Sequence, residues 1–166
     1  MQEFANSPSL RNGIFDLLSS VKMANDANVK LLDYTVELFK NNGLFSDYYG
    51  YHNVDHELEV TYVTMLSGIN SFKNEYLNLE DLNYLYAAAL LHDFDPKKEI
   101  DKPHEKNVIQ FISKNKTIQK LLSAANLDQN LICALISSTV YPWKGEIITN
   151  TEKEIDNYYA KSKIKR

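Results

Sequence analysis

All four histidines of the 166-residue chain lie between His52 and His104. Two belong to YHNVDHELEV, residues 51–60, and a third is followed at once by a carboxylate in LLHDFDP, residues 90–96. His52 and His56 stand four apart, which on a helix puts them on one face about 6 Å apart along the axis. Neutral imidazoles so spaced suit a metal ion, or one ligand beside one proton donor, although the same spacing arises on solvated helix faces. His92 and Asp93 stand directly behind an apolar stretch, where a buried carboxylate is costly unless something positive compensates it. A metal ion would compensate it, as would a lysine or the amides of a helix end. Imidazole and carboxylate without thiolate suit Fe, Mn, Co, Ni or Zn, with Mg where carboxylates dominate. The two segments together offer His56, His92 and Asp93 as a three-point site for a divalent metal ion, with His52 beside it.

Helices are the elements that must bring these segments together. The length suits one domain over residues 1–166, and 44% hydrophobic and 24% charged residues are ordinary for a soluble globular protein. Apolar residues recur at helical spacing after Ser7-Pro8, through Ile14, Leu17, Leu18 and Val21, and again from about Ala27 to Lys40, ending at Asn-Asn-Gly43. These two helices are expected to pair antiparallel. A third runs from about Val54 to Phe72, with Leu58, Tyr62, Met65, Leu66 and Ile69 on one stripe. The fourth begins near Leu79, is almost wholly apolar from Leu85 to Leu91, and should lie inside the bundle and end at Asp95, because Pro96 disfavours helix in the residue before it. Further helices are expected near 102–114, 117–125, 127–139 and from Thr151 onward. Strand signals are poor, so the fold class is all-α.

Other classes are excluded or disfavoured by composition. Five glycines and no glycine-rich phosphate loop exclude a glycine-cradled nucleotide of the common kinds. A net charge of −4 argues against a broad nucleic-acid surface. No apolar run is long enough to span a membrane and no secretory pattern opens the chain, so a cytoplasmic protein is expected. The single cysteine, Cys133, agrees with a reducing compartment and reads as core packing.

The pattern HNVDH followed some 35 residues later by AAALLHDFDP resembles the HD-domain superfamily of metal-dependent phosphohydrolases. With Tyr51, the run YHNxxH is similar to cyclic-nucleotide phosphodiesterases and to small bacterial and archaeal HD proteins; the likeness covers about 51–139, with a motif-bearing core to 156. It implies an HD-type helical bundle in which His56, His92 and Asp93 hold the metal and Asp156 is the candidate last ligand. The family's D-x-D stretch is absent at Asp156, where an ordinary surface residue is the alternative. His52 would donate a proton to the leaving oxygen and Glu105 would orient the water, while His104 is a candidate ligand for a second metal. The implied function is hydrolysis of a phosphate monoester or diester, with a nucleotide the leading candidate. The metal would lower the pKa of its water toward neutrality, and His52 as an acid would contribute on the order of 10²- to 10⁴-fold. Lys98 and Lys102, with Lys97 and Lys106 near them, could attract the small phosphorylated substrate, and Tyr51 could stack on its base. A non-catalytic HD-fold module binding a nucleotide or a protein, and an HD-fold di-iron oxygenase, remain the alternatives. Substrate, native metal and oligomeric state are open.

Overall fold

In the computed structural model, residues 7–44, 52–99, 102–140 and 144–163 are described. Among them the chain is all-α, with eight helices and no strand: α1 (Ser7–Ser20), α2 (Asp26–Asn41), α3 (Val54–Lys73), α4 (Leu79–Leu91), α5 (Glu105–Lys114), α6 (Lys116–Ala124), α7 (Gln129–Ser137) and α8 (Glu146–Lys161). Asparagine and aspartate set many of the starts. Asn25, Asn53, Asn78, Asn115 and Asp128 each accept backbone N–H bonds from the first turn of the helix that follows, and Asn78 and Asp81 close a reciprocal capping box on α4. Gly43, at φ +69°, takes the chain out of α2 as the sequence predicts.

The apolar α4 runs through the interior, with Leu82, Tyr86 and Leu90 excluded from solvent. It packs against α3 on one side and α7 on another, and α2 also touches it. Close approach of α3 and α4 depends on Gly68, since a Cβ there would fall 2.6 Å from the Leu82 side chain. Tyr86 donates its hydroxyl to the Asn28 carbonyl at 2.9 Å, and burial pushes that phenol far above its ordinary range.

Four expectations need correction. α1 lies chiefly against α3, and α2 against α6 and α4, so the predicted antiparallel pair is reduced mainly to an Arg11–Asp33 ion pair of 2.7 Å. The buried stripe of α3 passes through Val54, Glu57, Leu58, Thr61, Met65 and Ile69, while Leu66 is 45% exposed. α4 stops at Leu91, four residues short of Asp95, because residues 92–95 turn out of the helix. α8, in turn, begins five residues before Thr151.

The turn after α4 is anchored by what it buries. Phe94 is 1% exposed, with its ring 5.1 Å from Phe39 of α2 and 4.8 Å from Phe111 of α5. Asp95 is wholly buried and accepts from the backbone N–H groups of Lys97 (2.9 Å) and His104 (3.1 Å) and from Asn107 Nδ2 (3.1 Å). A buried carboxylate so furnished with donors is satisfied, and it ties the turn to the start of α5.

Candidate metal centre

Two segments build the site. The first is the entry to α3, where Asn53 Oδ1 accepts from the amides of Asp55 (3.0 Å) and His56 (3.2 Å) and so starts the helix between the two histidines. His52 therefore precedes the cap and is not on the helix. The shared helix face expected from the four-residue spacing is not what brings the imidazoles together; the bend at the cap does, setting the rings 5.2 Å apart and nearly perpendicular. The second segment is the end of α4, where Phe94 fixes the turn and leaves His92 and Asp93 facing α3.

Three imidazoles converge on one carboxylate oxygen. Asp93 Oδ2 lies 2.7 Å from His52 Nδ1, 3.5 Å from His56 Nε2 and 3.4 Å from His92 Nε2. Burial by itself would raise the Asp93 carboxyl, but the bond from His56, the charge on His92 and the bond from His52 outweigh it and hold Asp93 below the usual carboxylate range. An ionised carboxylate can only accept, so His52 Nδ1 carries the hydrogen.

Behind His92 sits Glu57, a residue passed over in the sequence reading. Its side chain is fully buried, its Oε2 lies 3.2 Å from His92 Nδ1, and neither oxygen meets a donor in hydrogen-bonding geometry. Burial raises the Glu57 carboxyl against the opposing charge of His92. Burial would likewise lower His92, yet Glu57, then Asp93 and the Ala89 carbonyl, raise it to about 10. The pair as a whole therefore holds a proton through neutral pH. Glu57 was legible in principle, since a charged residue three after Val54 and four before Thr61 interrupts the buried stripe of α3.

The ligand atoms fall into two groups that share Asp93. His52, His56 and Asp93 each offer an atom within 4.8 Å of the others, as do Glu57, His92 and Asp93. Nitrogen and carboxylate donors without thiolate fit a borderline divalent ion such as Zn, Ni, Co, Fe or Mn better than Mg. A buried carboxylate without a well-aligned donor fits the same conclusion, because it calls for positive charge close by.

The remaining candidates lie elsewhere. Among the described residues, no group able to share an ion includes Asp156 or His104. Asp156 is exposed on α8, which packs on α7. His104 caps α5, its Nδ1 accepting from the Lys106 amide at 3.2 Å, and that cap occupies the nitrogen a metal would need. His104, Glu105 and Lys102 line a separate cavity of about 330 Å³ facing Ile147 and Thr151 of α8. Lys98 Nζ donates to the Asn42 carbonyl at the end of α2. Tyr51 lies outside the described residues. Cys133 is fully buried in α7 and burial pushes its thiol up to about 12, as expected of a core residue.

No family model matches the chain, and no solved structure matches it significantly. The chain is similar to the periplasmic chaperone PpiD of Buchnera aphidicola subsp. Acyrthosiphon pisum (strain APS), with 26% identity over 147 residues, covering 85% of this chain and 19% of that protein. This similarity overturns the function expected from the motifs. It runs along most of the chain to a protein named a chaperone, and the assignment as a phosphohydrolase of nucleotides or other phosphate esters is withdrawn. The roles tied to that reaction, for His52 as acid, Glu105 as water-orienting group and Lys98, Lys102 and Tyr51 as substrate contacts, are not carried further. Among the described residues no helix is long and apolar enough to cross a membrane.

Proposed function

We propose that the chain is an HD-like, non-catalytic helical module that binds a divalent transition-metal ion on His52, His56 and Asp93, with His92 as the adjoining donor. One observation carries this reading: three imidazole nitrogens from two distant segments lie within 2.7–3.5 Å of a single carboxylate oxygen. Surface histidines have no reason to converge so, and a carboxylate held ionised at their centre is ready to ligate without first losing a proton. The ion would pin the entry of α3 to the end of α4 and so stabilise the bundle by mass action. Titration calorimetry and elemental analysis of the full chain with Zn, Ni, Co and Mn test this. One ion per chain, lost in Asp93→Ala and His56→Ala, is the expected result. Absence of bound metal in wild type, or unchanged binding in both variants, overturns it.

The likeness to PpiD favours a second reading, in which the module contacts polypeptide. Val63 and Leu66, 50% and 45% exposed on α3, are apolar surface such contact would use. Slowed aggregation of a chemically unfolded test protein, weakened by Val63→Lys with Leu66→Lys, is the expected outcome; no effect of the wild-type chain removes this reading. A cytoplasmic location is likewise proposed, on the one buried thiol, although the relative is named periplasmic. Fractionation of cells decides between the compartments.

A further inference from the structure

We propose that Glu57 is the positioning residue of the centre, a buried carboxylate that holds the His92 ring through its Nδ1 edge so that Nε2 is the nitrogen presented to a metal ion. This rests on the metal-binding reading above and adds a residue to it.

The argument is geometric. His92 Nδ1 lies 2.8 Å from the Ala89 carbonyl oxygen, which can only accept, so Nδ1 carries a hydrogen. Glu57 Oε2 stands 3.2 Å from the same nitrogen. The Nδ1 hydrogen goes to the Ala89 carbonyl with the Glu57 carboxylate beside it as the charged neighbour, and Nε2 is left facing Asp93 at 3.4 Å. A ligating histidine whose second nitrogen is fixed by a carboxylate has its tautomer and ring orientation set and its basicity raised. Solvent cannot do this for His92, because Glu57 is 0% exposed and sits on the buried stripe of α3 between Val54 and Leu58. Such a position is ordinarily filled by an apolar side chain. Neither Glu57 oxygen has a well-aligned donor, and the groups that act on it are His92 first and then Asp93, including the Asp93 backbone. His92 is what it faces.

The test compares wild type with Glu57→Gln and Glu57→Asp. Co²⁺ affinity of the full chain is expected to fall about 10- to 100-fold in Glu57→Gln and to recover in part in Glu57→Asp. The visible absorption of bound Co²⁺ should shift in Glu57→Gln, which a side chain that merely fills space would not cause. Nitrogen NMR of wild type loaded with Zn²⁺ needs no variant, and should show His92 protonated at Nδ1 and metallated at Nε2, with a strongly downfield Hδ1. Equal Co²⁺ affinity and an identical spectrum in Glu57→Gln, or a metallated Nδ1, overturns the role of Glu57 and leaves the metal reading intact. Failure of wild type to bind Co²⁺ or Zn²⁺ overturns both.

Discussion

His52 Nδ1 donates to Asp93 Oδ2 at 2.7 Å across 41 residues of sequence, although His52 lies outside the helix that carries His56. The bond makes His52 part of the centre on the same footing as His56. His52→Ala is therefore expected to lower metal affinity about as much as His56→Ala does. Loss of a group behind a ligand costs 10- to 100-fold, so losing either of these should cost about 100-fold or more. Calorimetry with Zn²⁺ or Ni²⁺ reads this directly, and undiminished binding by His52→Ala would remove it from the ligand set.

Asp156→Ala and His104→Ala are expected to leave affinity within about twofold of wild type. Asp156 is exposed on α8, and His104 is spent as the cap of α5. His104→Ala should instead cost about 1 kcal/mol of stability for the lost cap. A large fall in metal binding in either variant would mean that α5 or α8 closes on the centre in solution.

The metal-free protein should weaken in alkali. The folded pKa of His92, about 10, lies above its ordinary 6.5, so its contribution is complete below pH 6.5 and disappears as pH rises through about 10. Asp93 runs the other way, its contribution being present above about 3.8 and lost as pH falls through its depressed folded value. With a chelator present, the urea midpoint is expected to drop between pH 7 and 10, by the equivalent of a few kcal/mol at most. Glu57→Gln removes the leading cause that raises His92 and should flatten the decline. A wild-type profile already flat over that range contradicts the assignment of the proton.

Asp95→Ala should be among the most damaging single changes. It leaves the Lys97 and His104 amides and the Asn107 side chain without their acceptor in a buried place. A loss of about 3 kcal/mol is expected, since bonds to charged groups contribute about 1.5–3 kcal/mol each and are not additive. Denaturant unfolding checks it, and a change under about 1 kcal/mol would show that water replaces the carboxylate.

Gly68→Ala gains about 1 kcal/mol of helix propensity yet sets a methyl 2.6 Å from the buried Leu82 side chain. Overpacking of this kind costs about 1–3 kcal/mol, so a small net loss is expected, and Gly68→Val should lose more. Thermal unfolding of the two variants ranks them. A Gly68→Val protein as stable as wild type would mean that α3 and α4 can part without cost.

Much of this was legible in the chain. The all-α class followed from the apolar periodicity, and α2 and α3 begin and end within two residues of their expected bounds. His92 and Asp93 stood out because polar groups rarely follow an apolar run such as Ala87–Leu91 without cause. The helix partners were not legible, since an apolar stripe says that a helix packs but not on which neighbour, and that choice is made by side-chain fit. Nor was the geometry of His52. Asn53 stands in the motif without an assigned role, and in the structure its side chain caps α3 and turns the preceding histidine inward. Glu57 was hidden beside His56, where the eye stops at the imidazole. The motifs suggested phosphohydrolysis, whereas the similarity found is to a protein named a chaperone, and a fold or pattern alone does not fix a reaction.

The crowding of three rings onto Asp93 Oδ2 has a consequence for loading. The nitrogens that would grip an ion are the ones now able to hold hydrogen towards that oxygen, so uptake is an exchange of one positive partner for another. On the proposed metal reading, an arriving ion would displace hydrogen from these nitrogens. Removal of the ion would leave the carboxylate bridged, so that the two segments stay in register for the next one.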